Sequence, residues 1–252
     1  MTAAIGFALA AFALLVALRG GAAEELDWST PLAVARVLGG DRLELADGRS
    51  VRLAGIRVPK MITGPPEQAE AALARLVADR AVRLGTTPAP LDRYGDLVAQ
   101  VERADGLWLQ GALLERGLAQ VQTGPDEVAR AAAMLALEQA ARAARRGLWG
   151  QPAFAPRPAD QLADAVGSFQ IVQGRVLRVA PTDHYVYLNF GRDWWSDFTL
   201  RLRRAELDAG FQRSPVDVLA LAGRRVEVRG FVLDAGGPLI ELSHPEQIQV
   251  LP

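Results

Sequence analysis

Two turn signals inside one alternating stretch constrain the fold of this chain more than any other sequence feature. Between Leu32 and Leu53, apolar and polar residues alternate, with breaks at Gly39-Gly40-Asp41 and at Ala46-Asp47-Gly48. A period of two predicts strands with one buried face, and Asp-Gly between such runs predicts a hairpin. The stretch therefore predicts three consecutive strands, over 33–38, 42–45 and 49–56.

Helical and strand patterns alternate from there to residue 151. The spacing of apolar residues predicts helices over 67–79, 107–120 and 126–146, whereas 82–84 and 97–103 have strand character. Gly147 follows the last helical pattern, and glycine suits the left-handed conformation that ends many helices. The first half therefore predicts a mixed α+β domain over residues 31–151.

A proline-rich segment separates the two halves. Residues 151–161 contain three prolines among small residues, which interrupts both periodicities, so we place a linker at 152–164. Strand patterns follow, with one helical segment over 203–221 among them. The strand-like segments are 169–179, 185–190, 198–202, 225–233, 239–242 and 248–251. This content predicts a second small, mostly β domain over 165–252, and an OB-like barrel is one arrangement that fits it.

The chain begins with an apolar segment that predicts export. Residues 3–18 are all apolar or small, and small residues follow Arg19 as far as Ala23. This run is short for a membrane span, and Gly21-Ala22-Ala23 is typical of a signal-peptide cleavage site. We expect residues 1–23 to be a cleaved signal or, alternatively, an uncleaved anchor. The folded part is then expected in the periplasm, free or anchored to the membrane by residues 3–18.

Charge and cysteine content exclude several classes of function. The chain has 252 residues, with 28 Lys and Arg, 29 Asp and Glu, and no cysteine. Disulfides and cysteine-based zinc sites are therefore excluded, and the formal charge of −1 exerts no general attraction on nucleic acid. The two histidines, His184 and His244, lie in separate segments, so we expect surface or turn residues and no catalytic triad.

Four motifs in the first half together resemble one known family. They are Ala35-Arg-Val-Leu-Gly-Gly-Asp-Arg-Leu-Glu-Leu, Val51-Arg-Leu-Ala-Gly-Ile-Arg-Val-Pro-Lys, Asp92-Arg-Tyr-Gly-Asp-Leu-Val-Ala and Arg145-Arg-Gly-Leu-Trp. In this order they resemble the staphylococcal nucleases, or thermonucleases. The resemblance implies an OB-type five-stranded β-barrel with three helices over residues 31–151. The second half likewise resembles the carboxy-terminal module of some bacterial thermonuclease-like proteins, for which no activity is implied.

Enzymes of that family cleave phosphodiester bonds with one calcium ion, and their site needs carboxylates for the metal, a glutamate for the water and two arginines for the phosphate. The resemblance places the first metal carboxylate at Asp41 and the first phosphate arginine at Arg52, and both residue types fit. It places the second metal carboxylate at Arg57, the glutamate at Lys60 and the second arginine at Asp96, so the charge is reversed at all three. Like charges about 4 Å apart repel by roughly 4 kcal/mol at an intermediate dielectric. We therefore expect no bound calcium, no other cofactor and no calcium-dependent cleavage.

Nearby acids are poor replacements for the lost carboxylates. Glu44 lies an odd number of residues from Asp41, so its side chain is expected on the opposite face of the strand. Asp47 lies at the far end of the hairpin, and Asp92 belongs to a different loop. A metal site rebuilt from these acids is therefore not expected.

The remaining cations allow two interpretations. One is a positive pocket that holds phosphate or another anion, with an aromatic ring stacked on the ligand. Its members would be Arg52, Arg57, Lys60 and Tyr94. The other, which we prefer, pairs Arg52 with Asp41 or Asp96 and packs the tyrosine at the barrel edge.

One dense aromatic tract, residues 185–198, marks the second half. Aromatic residues and arginine occur together there, which suits a stacking platform for single-stranded nucleic acid through Arg192, Trp194 and Trp195. We favour core packing for the aromatic residues and a packed turn over 189–197, because Asp193 and Asp197 would repel phosphate.

The sequence therefore predicts an exported, two-domain protein of nuclease fold that acts as a binding or scaffold module for a protein partner or an anionic ligand. A first alternative is a working exported nuclease that cleaves DNA or RNA. A second is single-strand nucleic-acid binding through the carboxy-terminal barrel. Membrane contact is expected only through an uncleaved amino-terminal segment.

Overall fold

The computed structural model describes residues 26–59, 65–193 and 196–252. The predicted export segment and three candidate binding residues, Lys60, Trp194 and Trp195, lie outside the described residues. Among the described residues, no helix combines the length and the apolar character that crossing a membrane requires.

The first half contains eight strands and three α-helices among its described residues. The strands are β1 (Asp27–Trp28), β2 (Leu32–Gly39), β3 (Arg42–Leu45), β4 (Ser50–Leu53), β5 (Ile56–Arg57), β6 (Ala81–Leu91), β7 (Leu97–Arg103) and β8 (Gln120–Val121). The helices are α1 (Pro65–Val77), α2 (Leu109–Glu115) and α3 (Ala131–Ala143).

Five of these strands close into a barrel, which we call the first barrel. Strands β2, β3 and β4 form an antiparallel meander, β4 pairs in parallel with β7, and β7 pairs antiparallel with β6, which returns to β2. Helix α1 connects the third and fourth barrel strands, and β1 extends the sheet beyond β6. This confirms the predicted five-stranded barrel with three helices.

Strict alternation produces the barrel wall. In β3, Leu43 and Leu45 are fully buried while the residues between them face outward, and β4 buries Val51 and Leu53 in the same way. Helix α1 covers one end of the barrel through a buried stripe that includes Leu73. Arg52, between the two buried residues of β4, is therefore directed away from the core.

The second half is mostly β and has one short α-helix among its described residues. Its strands are β9 (Arg157–Pro158), β10 (Phe169–Arg175), β11 (Arg178–Pro181), β12 (Tyr185–Asn189), β13 (Thr199–Arg203), β14 (Arg225–Phe231), β15 (Leu233–Asp234), β16 (Pro238–Leu242) and β17 (Ile248–Val250). The helix is α4 (Arg204–Ala209).

The strand pairings of this half repeat those of the first barrel. If β10–β11 and β14–β15 are each taken as one bent strand, the first three strands form an antiparallel meander through β12 to β13. Strand β13 pairs in parallel with β16, β16 pairs antiparallel with β15, and β14 returns to β10. Helix α4 again lies between the third and fourth strands. We call this unit the second barrel, and its connectivity is that of an OB-fold.

The predicted linker, residues 152–164, is too long at its carboxyl end. Strand β9 pairs in parallel with β10, and Leu162 is buried in the core of the second barrel, because this segment covers the outer edge of that sheet. Phe154 packs on a small apolar cluster that both halves build from Ala141, Trp149, Phe169 and Ile171. The two barrels are therefore joined through packed residues.

Helix α3 begins later than the sequence pattern predicts. Arg130 has a positive φ of 63°, so the helix starts at Ala131 and the predicted first turn over 126–130 is irregular. Strand β6 is longer than the predicted 82–84. Its prolines, Pro88 and Pro90, fall where the pairing with β7 is interrupted between Thr86 and Leu91, so no ladder hydrogen bond is lost to them.

Candidate functional site

Arg52 is held by two acids in the first barrel. Its Nη2 donates to Glu127 Oε1 at 2.7 Å, its Nη1 to Glu127 Oε2 at 3.2 Å and its Nε to Asp92 Oδ2 at 3.4 Å. Burial opposes the charge of Arg52, but these carboxylates outweigh burial and raise its pKa above the ordinary value. The preferred pairing with Asp41 or Asp96 was therefore wrong, because Glu127 reaches the guanidinium from the irregular segment before α3.

Glu127 is the residue that sequence reasoning missed. One of its oxygens, Oε2, also accepts a hydrogen bond from the backbone N–H of Gly55 at 2.8 Å. Gly55 has a φ of 75°, and a Cβ there would lie 2.5 Å from Met134 Cε, so the turn after β4 requires glycine. Glu127 thus ties the third barrel strand to the approach of α3. Glu127 lies 75 residues from Arg52 in the sequence, so no local pattern predicts that the two residues pair.

The turn between β6 and β7 carries two acids, Asp92 and Asp96. Asp92 Oδ1 accepts from the backbone N–H groups of Tyr94 at 2.8 Å and Asp96 at 3.1 Å. Burial opposes the charge of Asp92, but these N–H groups and Arg52 lower its pKa. Asp96, at the position of the family's second arginine, forms an ion pair with Arg42 at 3.0 Å. Both acids therefore neutralise arginines.

Tyr94 projects from the tip of this turn. Its side chain is 70% exposed, so the expectation that it packs at the barrel edge was wrong. Its ring contacts Arg93, whose Cζ lies 4.8 Å from the ring centroid. The glycine that follows it has a φ of 83°, which directs the tip of the turn into solvent.

Asp41, the first metal position in the resemblance, bonds to backbone. Its Oδ2 accepts from Val58 N–H at 3.2 Å, which fixes the turn between β2 and β3 against the loop after β5. In the described part of the chain, no group of three His, Asp or Glu side chains is arranged to hold a metal ion. Glu44 pairs with Arg36 and Asp47 with Arg49, so an arginine already neutralises each of these carboxylates. This donor set does not fit calcium.

Arg57, the second metal position in the resemblance, lies against the second barrel. Its Cζ is 4.8 Å from the ring centroid of Phe169 and 5.7 Å from that of Phe231, and its Nη1 donates to Gln120 Oε1 at 3.2 Å. Burial lowers the pKa of Arg57, and the negative charge of Asp41 opposes that shift. Its guanidinium therefore acts as a cation–π contact between the barrels.

A buried ion network continues this contact. Arg229 of β14 is 3% exposed and its Nη1 donates to Glu138 Oε1 on α3 at 2.9 Å, with its Nη2 at 3.3 Å from Glu227. Arg142 of α3 forms a two-point contact with Glu227, at 2.7 and 2.8 Å. Burial opposes the charge of Glu227, but Arg142 and its other donors lower its pKa. Two arginines and two glutamates from both halves thus neutralise one another out of water.

His244 belongs to the same interface, although the sequence predicted a surface or turn residue. It does start a short 3₁₀ turn, yet it is only 4% exposed because the first barrel covers it. Its Nε2 shares a hydrogen bond with Thr123 Oγ1 at 2.7 Å and its Nδ1 shares one with Ser243 Oγ at 2.9 Å. Burial lowers the pKa of His244 to about 4, against an opposing effect of Glu127. His184, by contrast, is exposed.

The aromatic tract of the second half divides between core and surface. Phe198 is buried in the second barrel, whereas Tyr185 and Tyr187 face outward, because Val186 and Leu188 take the inward positions of β12. The core packing predicted for all of these aromatic residues was therefore wrong for the two tyrosines. The expected packed turn forms through Asp197 Oδ2, which accepts from the backbone N–H of Asp193 at 2.9 Å. Arg192 is exposed on that turn, far in the chain from Arg52 and Arg57.

Comparison with known protein families gives a match to part of the first half of the chain. Residues 50–151 match the family model described as staphylococcal nuclease homologue. No curated protein matches the chain. The match begins at β4 and ends after the 3₁₀ turn Gly147–Gly150, so it covers the segment that holds Arg52, Arg57, Asp96 and Glu127.

Proposed function

Because residues 50–151 match the family model described as staphylococcal nuclease homologue, we propose that this chain is a nuclease-fold protein that has lost calcium-dependent cleavage and acts as a rigid binding scaffold. One observation carries the proposal. Arg57, at the position that the resemblance gives to a metal carboxylate, stacks on Phe169 and Phe231 of the second barrel. The positive charge of the Arg57 guanidinium, held in this contact, would repel a divalent cation at the same position.

The charges around Arg57 support the loss of cleavage. Asp41 is engaged by the backbone of Val58, and Arg52 by Glu127 and Asp92. A phosphate that approached Arg52 would have to displace a bidentate carboxylate, which is among the stronger contacts in proteins. Asp96, where a second phosphate-binding arginine is expected, would repel that phosphate. The arrangement disfavours both cleavage and tight capture of an anion at this place.

The interface supports the scaffold role. Charged contacts, a cation–π contact and the apolar cluster around Trp149 all join the same two barrels. A fixed relative position of two barrels presents one continuous surface to a partner. We infer that a protein partner is the ligand this scaffold serves, and that export, resting on residues 3–18, places the partner outside the cytoplasm.

The deciding experiment is hydrolysis of fluorophore–quencher DNA and RNA by the full chain, with millimolar calcium or with a chelator. We expect no cleavage above that of the Arg52→Ala and Asp41→Ala variants under either condition. Loss of a ligand carboxylate and of the general base each lowers such rates by orders of magnitude.

A restored variant makes a negative result informative. Lys60→Glu with Asp96→Arg returns two of the three reversed charges and leaves Arg57 in its interface. Its melting curve should still show a cooperative transition, at a somewhat lower temperature because Asp96→Arg breaks the pair with Arg42. Addition of Arg57→Asp should then create calcium-dependent cleavage if the replaced residues are the only defect of the site. Calcium-dependent cleavage by the unaltered chain, abolished by Asp41→Ala, would refute the proposal and establish a working nuclease.

A further inference from the structure

The outward face of the second barrel carries an ordered set of polar and aromatic side chains. Strand pairing places Ala180, Tyr187, Arg201 and Glu241 side by side on four adjacent strands. The next row along the strands consists of Arg178, Asn189, Thr199 and Leu239. Because alternate residues of each strand share a face, these two rows form one surface.

Seven of these eight residues, all except Glu241, line a cavity of about 430 Å³. The turn between β15 and β16 forms one wall, and Asp197 lies at the rim. A Cβ on Gly237 would lie 2.8 Å from the backbone oxygen of Ser196, so this wall approaches the neighbouring turn as closely as glycine permits. The volume falls within the roughly 300–1,000 Å³ typical of small-molecule sites. Oligonucleotides and oligosaccharides both bind this face in OB-folds.

The charges of the cavity cancel, which decides between those two ligand classes. Arg201 donates to Glu241 Oε1 through Nη2 at 2.7 Å and through Nε at 3.1 Å, so its charge is already compensated. Arg178 and Asp197 add one charge of each sign to the lining. A phosphodiester chain gains from an excess of cations and is repelled by the carboxylate at the rim. The cavity has no such excess.

The polar groups suit a ligand that carries both donors and acceptors. Asn189 supplies an amide, Thr199 a hydroxyl that donates to Asn189 Oδ1 at 3.3 Å, and Asp197 a carboxylate whose Oδ2 accepts from Asp193 N–H at 2.9 Å. Tyr187 supplies an aromatic ring beside them, 5.9 Å from the ring of Tyr185. Hydroxyl groups on an apolar ring face match this combination of an aromatic platform and paired polar side chains.

We propose that this cavity binds a neutral saccharide. One sugar ring lies on Tyr187, its hydroxyl groups exchange hydrogen bonds with Asn189, Thr199 and Asp197, and Arg178 donates from the far side. The proposal goes beyond the scaffold function and does not depend on the loss of nuclease chemistry in the first barrel. A saccharide result and a nuclease result are separate readouts, so either proposal can fail alone.

Calorimetric titration of the full chain with chitotriose, cellotriose and maltotriose tests the proposal, with an eight-residue thymidylate as the nucleic-acid probe. We expect submillimolar binding of at least one trisaccharide, unchanged between 50 and 200 mM salt because no counterions are released. Tyr187→Ala should weaken binding by at least about tenfold, which corresponds to a loss of about 1.4 kcal/mol. Tyr187→Phe should keep most of the affinity.

Two further variants keep the test decisive. Asn189→Ala should weaken saccharide binding even if Tyr187→Ala fails to fold. Val166→Ala truncates an exposed apolar side chain of the same half outside the cavity lining, and it should bind like the unaltered chain. Absence of binding to all three trisaccharides overturns the proposal. Thymidylate binding that falls steeply with salt and is lost in Tyr187→Ala would also overturn it, and would assign the cavity to single-stranded nucleic acid.

Discussion

The two barrels share one strand order but differ at the turn that joins their last two strands. In the first barrel this turn runs from Asp92 to Asp96, and its acids pair with Arg52 and Arg42. In the second barrel the corresponding turn is Ala235-Gly236-Gly237, which carries no charge and leaves a cavity beside it. The turn of the first barrel therefore forms internal ion pairs, whereas the turn of the second barrel lies beside an open cavity.

This difference shows that the residue type at a position shared with the family does not by itself reveal the role of that side chain. Arg52 is the residue type that the nuclease family uses for phosphate, yet here Glu127 occupies its guanidinium. Arg57, which the resemblance places at a metal carboxylate, contacts two aromatic rings that lie outside the segment matched by the family model. The partner of each side chain, supplied by distant segments, decides its role.

The largest expected effect breaks the connection between the barrels. Arg229→Met leaves buried Glu138 with only Arg142, 3.8 Å away, as a cation, and removal of one partner of a buried pair costs about 3–5 kcal/mol. We expect one cooperative melting transition for the unaltered chain and a markedly lower transition for the variant, measured by calorimetry. The double variant Glu138→Gln with Arg229→Met should recover much of the loss, because no unpaired charge remains. If the variant lowered the stability of the second barrel alone, the barrels would be independent units.

Acid should weaken the same connection through His244. Its folded pKa of about 4 lies below its ordinary 6.5, so the unfolded chain takes up the proton first as the pH falls. The contribution is complete above pH 6.5 and is lost as the pH falls toward 4, by about 3 kcal/mol in total. Urea unfolding of His244→Gln at pH 7.5, 5.5 and 4 should show a shallower pH dependence than the unaltered chain. His184→Gln, at the exposed histidine, should keep the original dependence, and equal slopes for both variants would contradict the prediction.

A smaller effect is expected from Arg57, whose guanidinium contacts two aromatic rings of the second barrel. Arg57→Ala removes two aromatic contacts and should lower the free energy of unfolding by about 1–2 kcal/mol. Chemical denaturation measures it, and Arg49→Ala, which removes an exposed pair with Asp47, provides a matched control. An unchanged midpoint for Arg57→Ala would mean that the aromatic residues hold the barrels together without the cation.

The smallest effect concerns the acidic turn itself. Arg42 is partly exposed, so Arg42→Gln should cost no more than about 1 kcal/mol, as solvent weakens its pair with Asp96. Arg36→Gln breaks the exposed pair with Glu44 and should behave similarly in the same denaturation assay. A loss well above that of Arg36→Gln would show that the acidic turn is a structural part of the first barrel, which would sharpen its contrast with the uncharged turn of the second.

Strands bounded by turn chemistry were predictable from sequence. Strands β3 and β7 have the predicted bounds, because Asp-Gly turns follow both and alternation fixes the buried face. The mostly β content of the second half follows from the same kind of pattern, whereas the five-stranded barrel was expected from the family resemblance. Local chemistry therefore determined most of the fold.

Contacts between distant segments were not predictable in this way. The pattern over 126–146 predicts a continuous helix, but the contact of Glu127 with Arg52 and Gly55 holds the first turn in another conformation. The local sequence around His244 predicts a turn residue, but its contact with Thr123 of the first half buries it. In both cases, tertiary contacts override the local preference of the sequence. These contacts join distant segments, so the periodicity of the sequence does not predict them.

The buried ion pair between Glu138 and Arg229 also forms late during synthesis of the chain, because its two residues are made at different times. The two residues are 91 positions apart, and synthesis at about 5–20 residues per second separates them by roughly 5–18 s. During that interval every described strand of the first barrel has been synthesised, and the carboxylate of Glu138 has only Arg142 of its own helix, 3.8 Å away, as a cation. The ion network around Glu138 is therefore complete only after β14 has been synthesised, which makes the amino-terminal half dependent on the carboxy-terminal half for one of its buried charges.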